Sequence, residues 1–566
     1  MTRWRLAVGG VLVLVVALPL AAPFAELLAH PDAWAAFAEP GRLLSLAKNT
    51  LLLIGGTLAL TLPAGAVGAV LLYRTDLPFR RPLQFLAMLG LFVPLPLVAS
   101  GWQAALGSGG WLPLASWTTP PQGDPDVSPT GIAWKPWAQG VGTAVWVHAA
   151  LGLPWVVWLV GQGLCWVEPE LEEDALTAAG PCRVLWSVTL RRSAAAVAAA
   201  GLWVALQAAT EVTVTDMMQV RTFGEEVYNQ FVRSDRLGVG GPVAVNLPPV
   251  LLTALVVAWA ARRWERSLPP LRTFAAEPYV FRLGWLRWPC LLLAVAVVAL
   301  VAGVPGASLA WKAGLSGTPR EWSAATVLLW VDRVVHLRGG LVLSSLGLAA
   351  AAGAAAAALA LLTCWLAVGA RGFRWAVLAL LAVAWALPGP IVGLGMLAII
   401  DVLKYVPVHA VQVAFYYGPS PLPGVWVDVV RFFPCAVALL WPVVRLLPPE
   451  LREAARVDGA GPAQEFGRVV APLTAVPAAR AALAVAVLAL GELGASKLVN
   501  TPGSMTFAHE VFVQMHYGLD NDLAALCLVL LAAVLAGGIL VRAAGWLPGA
   551  FRRGHPAESA LCERRG

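Results

Sequence analysis

Two carboxylates recur at matched places in this chain. Glu211 stands 30 residues beyond Pro181, and Glu492 stands 30 residues beyond Pro462. Both sit in or beside long apolar runs, where an ionisable group is costly and faces a bundle interior or a water-filled cavity. Such a pair suits a polar passage between two similar halves. The plainer alternative is that both close span ends near the outer surface, with Asp216 and Lys497 sharing that environment. A second set is acidic and small: Glu453-Ala454-Ala455 followed by Gly459, with Glu172-Glu173-Asp174 and Gly180 at corresponding places nearer the N-terminus. Alanines let another surface approach a helix closely, and glycine permits a turn that a side chain resists. That chemistry is recognition rather than bond making.

Other reactive groups are sparse. His509-Glu510 followed by His516 is not HExxH, because the second histidine comes seven residues on rather than four. His148 and His336 read as ordinary helix or loop residues. The seven cysteines form no CxxC pair and sit mostly in apolar runs, as small hydrophobes do. No GxxxxGK[ST] loop is present to cradle nucleotide phosphates. No hydrophilic stretch is long enough to bury a soluble catalytic core. The expectation is therefore no catalytic residue, no metal site and no cofactor. The net charge of +7 resides mainly in loop arginines and implies no nucleic acid.

The elements that must carry these residues are apolar. Of the 566 residues 59% are hydrophobic and 13% charged, and the mean hydropathy is +0.74. A soluble chain of this size needs more charge to cover its surface. Runs such as 341–368 carry no charge at all, and about 20 apolar residues cross a hydrocarbon core of about 30 Å. The fold class is therefore an all-α polytopic membrane protein with about 12 transmembrane helices. They are expected near 6–28, 49–73, 83–106, 139–162, 194–215, 243–261, 288–309, 340–367, 375–400, 425–447, 477–498 and 522–545. The apolar run after Met1-Thr-Arg-Trp-Arg5 reads as an uncleaved first span rather than a signal peptide. The Gly-, Pro- and Trp-rich 108–138 segment reads as an irregular external loop. With the N-terminus inside, 26 of the 39 lysines and arginines fall on the inner side. Both termini are thus expected to be cytoplasmic.

Polar landmarks repeat with the apolar ones. Ala179-Gly180-Pro181 returns as Ala460-Gly461-Pro462, 281 residues later. Thr222-Phe-Gly-Glu-Glu-Val-Tyr-Asn-Gln230 returns as Thr506-Phe-Ala-His-Glu-Val-Phe-Val-Gln514, with Tyr228 paired to Phe512. Matched loops are harder to obtain by chance than matched apolar runs. Two tandem six-helix units are expected, 1–283 and 284–566, in the same orientation. The loop of about 448–475 reads as a short helix, a glycine turn at Gly459, and a second helical stretch stopped by Pro472. The loop of about 165–192 holds the corresponding place in the first unit.

The segment Glu453-Ala-Ala-Arg-Val-Asp-Gly459, with Phe466 and Pro472 beyond it, resembles the EAA loop of ABC-importer permeases. In that family the loop forms the helix that seats in a groove of the ATPase subunit. The resemblance implies that role for Glu453, Ala454, Ala455 and Gly459. The first copy departs from the pattern. Aligned on Gly-Pro, Glu172-Glu173-Asp174 stands over Glu-Ala-Ala; aligned on the glycine, Asp174, Ala175 and Gly180 take the motif places. The fused form resembles the ferric-iron uptake permeases, on Glu211 to Thr222 and on Gly491 to Lys497 with Pro502-Gly503. Thiamine, sulfate, molybdate, polyamine and phosphonate importers share the architecture. The resemblance implies separate ATPase subunits in two copies, a periplasmic substrate-binding protein, and residence in the inner (plasma) membrane, with the lipid bilayer as solvent. Two other classes are weighed. A twelve-span secondary transporter would place its charged or broken-helix sites at mid-membrane. A membrane-embedded enzyme would cluster His, Asp or Arg at one interface. The sharpest motif here is instead a loop expected on the cytoplasmic side.

Overall fold

Backbone amides have no water to bond in a hydrocarbon core, so segments that cross it must satisfy them internally. The apolar runs accordingly fold as helices. The computed structural model describes residues 1–29, 33–34, 37, 39–91, 93–106, 140–233, 240–267, 279–317, 321–517 and 521–546. The loop expected over 108–138 and the arginines beyond residue 546 lie outside them. Among the described residues the one sheet is a two-stranded hairpin, Leu315–Ser316 with Glu321–Trp322.

Among the described residues eight helices are long and apolar enough to cross a membrane, from Thr2–Ala29 to Pro462–Leu490, and up to eleven crossings result if each bent pair is one span. The expectation of about twelve differs because three runs are broken rather than continuous. Arg371–Ala386 and Gly389–Lys404 meet at 110°, and Arg80–Gly90 and Leu95–Leu106 at 100°. Proline disfavours helical backbone in the residue before it. Leu387, before Pro388, is extended at φ −78° and ψ 126°. Pro94 and Pro96 hold the matching place in the other pair. The third break, of 61°, separates Pro181–Arg192 from Ala194–Thr210. The last helix, Asn521–Trp546, stands where the twelfth span was expected.

Corresponding elements occur along both parts of the chain. π-helical turns interrupt the helices at Val13–Ala17 and at Ala299–Gly303, and again at Leu185–Thr189 and at Phe466–Val470. Pro154 lies inside Val141–Cys165 and Pro434 inside Leu422–Arg445. Surface helices Pro169–Ala178 and Pro449–Val457 follow them. The repeated Thr-Phe segments each begin a helix, Phe223–Arg233 and Phe507–Tyr517. Their shared glutamates make the same kind of bond: Glu226 pairs with Arg42, and Glu510 with Arg338 at 2.7 Å.

The two main cores do not follow the midpoint of the sequence. One joins Leu12, Val16 and Val243 to Trp365, Leu387, Phe433 and Val485. The other joins Leu53, Trp102 and Val147 to Leu309, Val342, Phe507 and Leu526. The first and last spans of each sequence half therefore pack into the core of the other. Leu18–Ala29 lies on Gly389–Lys404, and Val304–Gly314 lies on Leu95–Leu106. Helices in lipid gain little from hydrophobicity alone, so close approach through small residues carries the association. A Cβ at Gly101 would stand 2.6 Å from Pro305 Cβ, and one at Gly395 would collide with the Pro19 carbonyl oxygen. Gly353 similarly admits the backbone of Ala482 and Ala486 to the helix Ala324–Val368.

Gly395→Val and Gly353→Val should each destabilise the folded protein by about 1–3 kcal/mol, the usual penalty of overpacking. Gly347→Ala, where nothing lies within 4 Å of the new methyl, should not. Thermal unfolding in detergent measures both, and equal melting points for all three would contradict the crossings.

Candidate functional site

The surface helices are built alike and anchored with opposite charge. Each begins on Pro-Glu-Leu, at Pro169 and at Pro449, and proline at the first helical position costs no hydrogen bond. Counting from those prolines sets Glu172 opposite Arg452, and Glu173-Asp174-Ala175 opposite Glu453-Ala454-Ala455. This register differs by one residue from alignment on Gly-Pro. Gly459, with φ +83°, takes up the extra residue. Its amide donates to Arg456 O at 3.1 Å, and the Ala460 amide to Ala455 O at 2.9 Å, a left-handed helix stop. The first helix stops without one, and Gly180 has ordinary φ −67°.

The anchors lie underneath. Glu172 is fully buried, paired with the equally buried Arg74 at the end of Pro40–Arg74, and accepts from Thr189 Oγ1 at 2.5 Å. Arg74 also donates to Leu164 O at 2.9 Å. Burial pushes the Glu172 carboxyl up from its ordinary value, with Thr189 and Arg74 opposing that push. Under Pro449–Val457 the carboxylate is Glu465, beyond the turn. It accepts from Arg452 Nε at 2.8 Å, Arg456 Nε at 2.9 Å and Trp365 Nε1 at 3.3 Å. The sequence singled out none of Arg74, Trp365 and Glu465. An arginine ending a 35-residue helix was the available signal for Arg74.

Most other side chains of both helices face outward. Glu453, Ala454 and Gly459 are exposed and Ala455 is half-buried, beside Leu451 at 46% and Val457 at 86% exposure. Glu173 and Asp174 are exposed in the first copy, beside Leu171 and Trp186. Glu172 faces inward, so it holds its helix rather than presenting a charge.

Glu211 and Glu492 meet on one cavity of about 90 Å³, together with Arg431, Thr210 and Gln207. Each also caps a turn. Glu211 accepts from the amides of Thr213 and Val214, at 2.5 and 2.9 Å, and Glu492 from that of Ala495 at 2.8 Å. The two readings offered by the sequence are therefore compatible in geometry. Arg431, on Leu422–Arg445, spans the cavity. Its Nη1 donates to Leu387 O at 2.6 Å, its Nη2 to Thr210 Oγ1 at 2.9 Å, and its Nε stands 3.7 Å from Glu492. His148, on the helix Val141–Cys165, has its Nε2 3.5 Å from Glu211 and so neighbours the cavity.

The sequence pattern around His148 returns around Asp428. Val145-Trp-Val-His148 and Val425-Trp-Val-Asp428 stand six residues before Pro154 and Pro434. Asp428 is buried, and its Oδ1 has no hydrogen-bond partner. That repeat was the missed signal for both residues. Near the cavity Tyr228 donates from its hydroxyl to Gly494 O. Lys497 Nζ lies 4.9 Å from the Tyr228 ring and 4.4 Å from that of Phe512, so the paired aromatics meet at one ammonium. Burial holds that ammonium below its ordinary value, opposed by Asp216. His509 bonds Asn500 at 3.1 Å, and among the described residues no three His, Cys, Asp or Glu side chains form a metal-holding group.

Residues 376–545 match the family described as binding-protein-dependent transport system inner membrane component. The matched segment includes the Pro449–Val457 helix, Glu465, Arg431 and Glu492. No curated protein matches the chain.

Removing one member of a buried ion pair leaves an uncompensated charge and costs about 3–5 kcal/mol. Glu172→Ala should show that loss in unfolding measurements, while Glu173→Ala, on the exposed face, should stay within about 0.5 kcal/mol of the parent. Equal effects would place the anchor elsewhere.

Proposed function

We propose that the chain is the membrane-spanning permease of a binding-protein-dependent ABC importer, with units 1–283 and 284–566 each supplying one docking helix. Pro449–Val457, inside the matched segment, is the observation that carries this reading. It is a short surface helix with exposed apolar side chains, clamped from below and ended by a left-handed glycine. A helix so held transmits force as a rigid lever. Two ATPase subunits would seat against it and against Pro169–Ala178, on the cytoplasmic side that also holds both termini. ATP hydrolysis belongs to those partners. A periplasmic binding protein would deliver substrate on the opposite face, where Phe223–Arg233 and Phe507–Tyr517 lie near the cavity.

Alternating access then follows from the layout. Closure of the ATPase pair moves the docking helices, and the anchors Arg74–Glu172 and Arg452–Glu465 pass the motion to the spans beneath. The cavity of Glu211, Glu492 and Arg431 is the gate that this motion opens. Ferric iron is the proposed cargo, supported by the likeness of the fused form and by carboxylate oxygens on the gate, which suit a hard cation. Thiamine, sulfate, polyamine or phosphonate would use the same architecture.

Loss of a central interface contact costs about 2 kcal/mol or more, which is about thirtyfold in affinity. Glu453→Lys and Gly459→Val should each reduce co-purification of the ATPase by that order while the permease stays folded. If the permease never brings down an ATPase and Glu453 variants transport normally, the reading fails. Glu492→Gln should lower transport and stimulated ATPase activity together; normal values for both would remove this residue from the gate.

A further inference from the structure

One group of cations serves neither the docking helices nor the gate. It gathers where three non-consecutive elements end. Arg3 and Arg5 begin the first span, Arg262 and Arg263 close Gly240–Ser267, and Arg371 and Arg374 open Arg371–Ala386. Contacts bring these ends together. Arg5 Nη2 donates to Gly369 O at 3.2 Å. A Cβ at Gly9 would stand 3.7 Å from Phe373. The Arg262 guanidinium lies 5.0 Å over the Trp375 ring. Among the described residues none of Arg3, Arg5, Arg262, Arg263 and Arg371 has a carboxylate within salt-bridge distance. Arg3, Arg262, Arg263 and Arg371 are exposed.

We propose that this corner binds the headgroup phosphate of an acidic phospholipid, with its acyl chains along the apolar faces of the three spans. Arg3, Arg5, Arg262, Arg263 and Arg371, with no described carboxylate in salt-bridge range, repel one another, and an anion that covers them relieves that repulsion. Its position selects which anion. The arginines stand where apolar helices end, and Trp4, Trp259 and Trp375 are exposed beside them at 40%, 67% and 43%. Tryptophan at helix ends marks the headgroup level of a bilayer. A guanidinium fork matches phosphate oxygens in pairs, and basic pockets between cytoplasmic helix ends attract acidic lipid. A free phosphate would leave the tryptophans and the apolar flanks uncovered; a lipid covers both.

The assignment to the inner leaflet rests on the proposed cytoplasmic side of the docking helices. The corner is at the same end of the bundle. Trp4 lies 6.5 Å from Trp365, whose indole bonds Glu465, the anchor of Pro449–Val457. A bound headgroup is thus one aromatic contact away from the element that seats a docking helix.

Native mass spectrometry of the full chain, after incubation with equal amounts of phosphatidylglycerol and phosphatidylcholine, tests the site. The parent protein should retain phosphatidylglycerol preferentially. Arg262→Gln/Arg263→Gln/Arg371→Gln should lower that retention about tenfold or more, and the corresponding triple lysine variant should keep most of it. Arg183→Gln/Arg191→Gln/Arg468→Gln, which removes three exposed charges from the docking-helix loops, should leave it unchanged. No lipid preference in the parent protein overturns the proposal, and so does an equal loss in the two glutamine variants. The parent comparison stands even if a variant fails to fold. Because only bound lipid is read, the absence of an ATPase partner would defeat the transport reading and leave this result intact.

Discussion

A charge taken out of water has to be met, and the two buried carboxylates beneath the surface helices determine how each of them sits. Glu172 is closed in by Arg74 and Thr189; Glu465 by Arg452, Arg456 and Trp365. Neither pair need add much net stability, because desolvation offsets the attraction. What each does is exclude alternatives. A helix of nine or ten residues is too short to be stable by its own propensity. Its place is defined by the pair below it, and the exposed side chains above follow from that placement. The charge order is reversed between the two helices. The two helices can therefore hold similar positions while neither anchor can substitute for the other.

The polar layer around the cavity shows a related asymmetry. Glu211 and Glu492 occupy equivalent places, but their neighbours do not match: His148 stands beside the first, and Arg431 beside the second, with the buried Asp428 where the first copy has histidine. Arg431 also reaches across to Thr210, next to Glu211. One guanidinium thus links the two parts of the cavity wall, and it comes from one half alone. The proline-led breaks before Gly389 and near Pro94 make room for this layer. They turn helix ends, with their free carbonyls, towards the interior; Leu387 O, at such an end, accepts from Arg431.

Much of this was legible in the residues, and the remainder was hidden for identifiable reasons. Apolar runs located the spans, because length and hydropathy alone govern whether a helix can cross. They did not show that 80–106 and 371–404 are bent. The prolines that break them also occur inside unbroken helices, as Pro154 and Pro434 do. The polar landmarks placed Glu211 and Glu492 at one level of the fold, and both reach a common cavity. Arg431 and Asp428 were missed although each is a charge inside an apolar run; such a charge marks an inward-facing group, but only packing shows which groups it meets. Glu172 read as one acid among three. Only three-dimensional packing distinguishes the one turned inward, since a helix of ten residues offers too few turns for its periodicity to be read from the sequence.

The exchange of end spans between the cores bears on how the chain is made. Leu18–Ala29 packs against Gly389–Lys404, about 370 residues further on. At about 5–20 residues per second, synthesis leaves the first span without that partner for roughly 20–70 s. Throughout that interval its proline-bearing face meets lipid instead. Assembly must therefore finish late, after the second half has been inserted, and the last helices made complete a core whose other members were inserted first. Joining the halves in one polypeptide keeps the two at high local concentration through the wait. Severed halves would each enter the bilayer with a core that lacks the spans the other must lend.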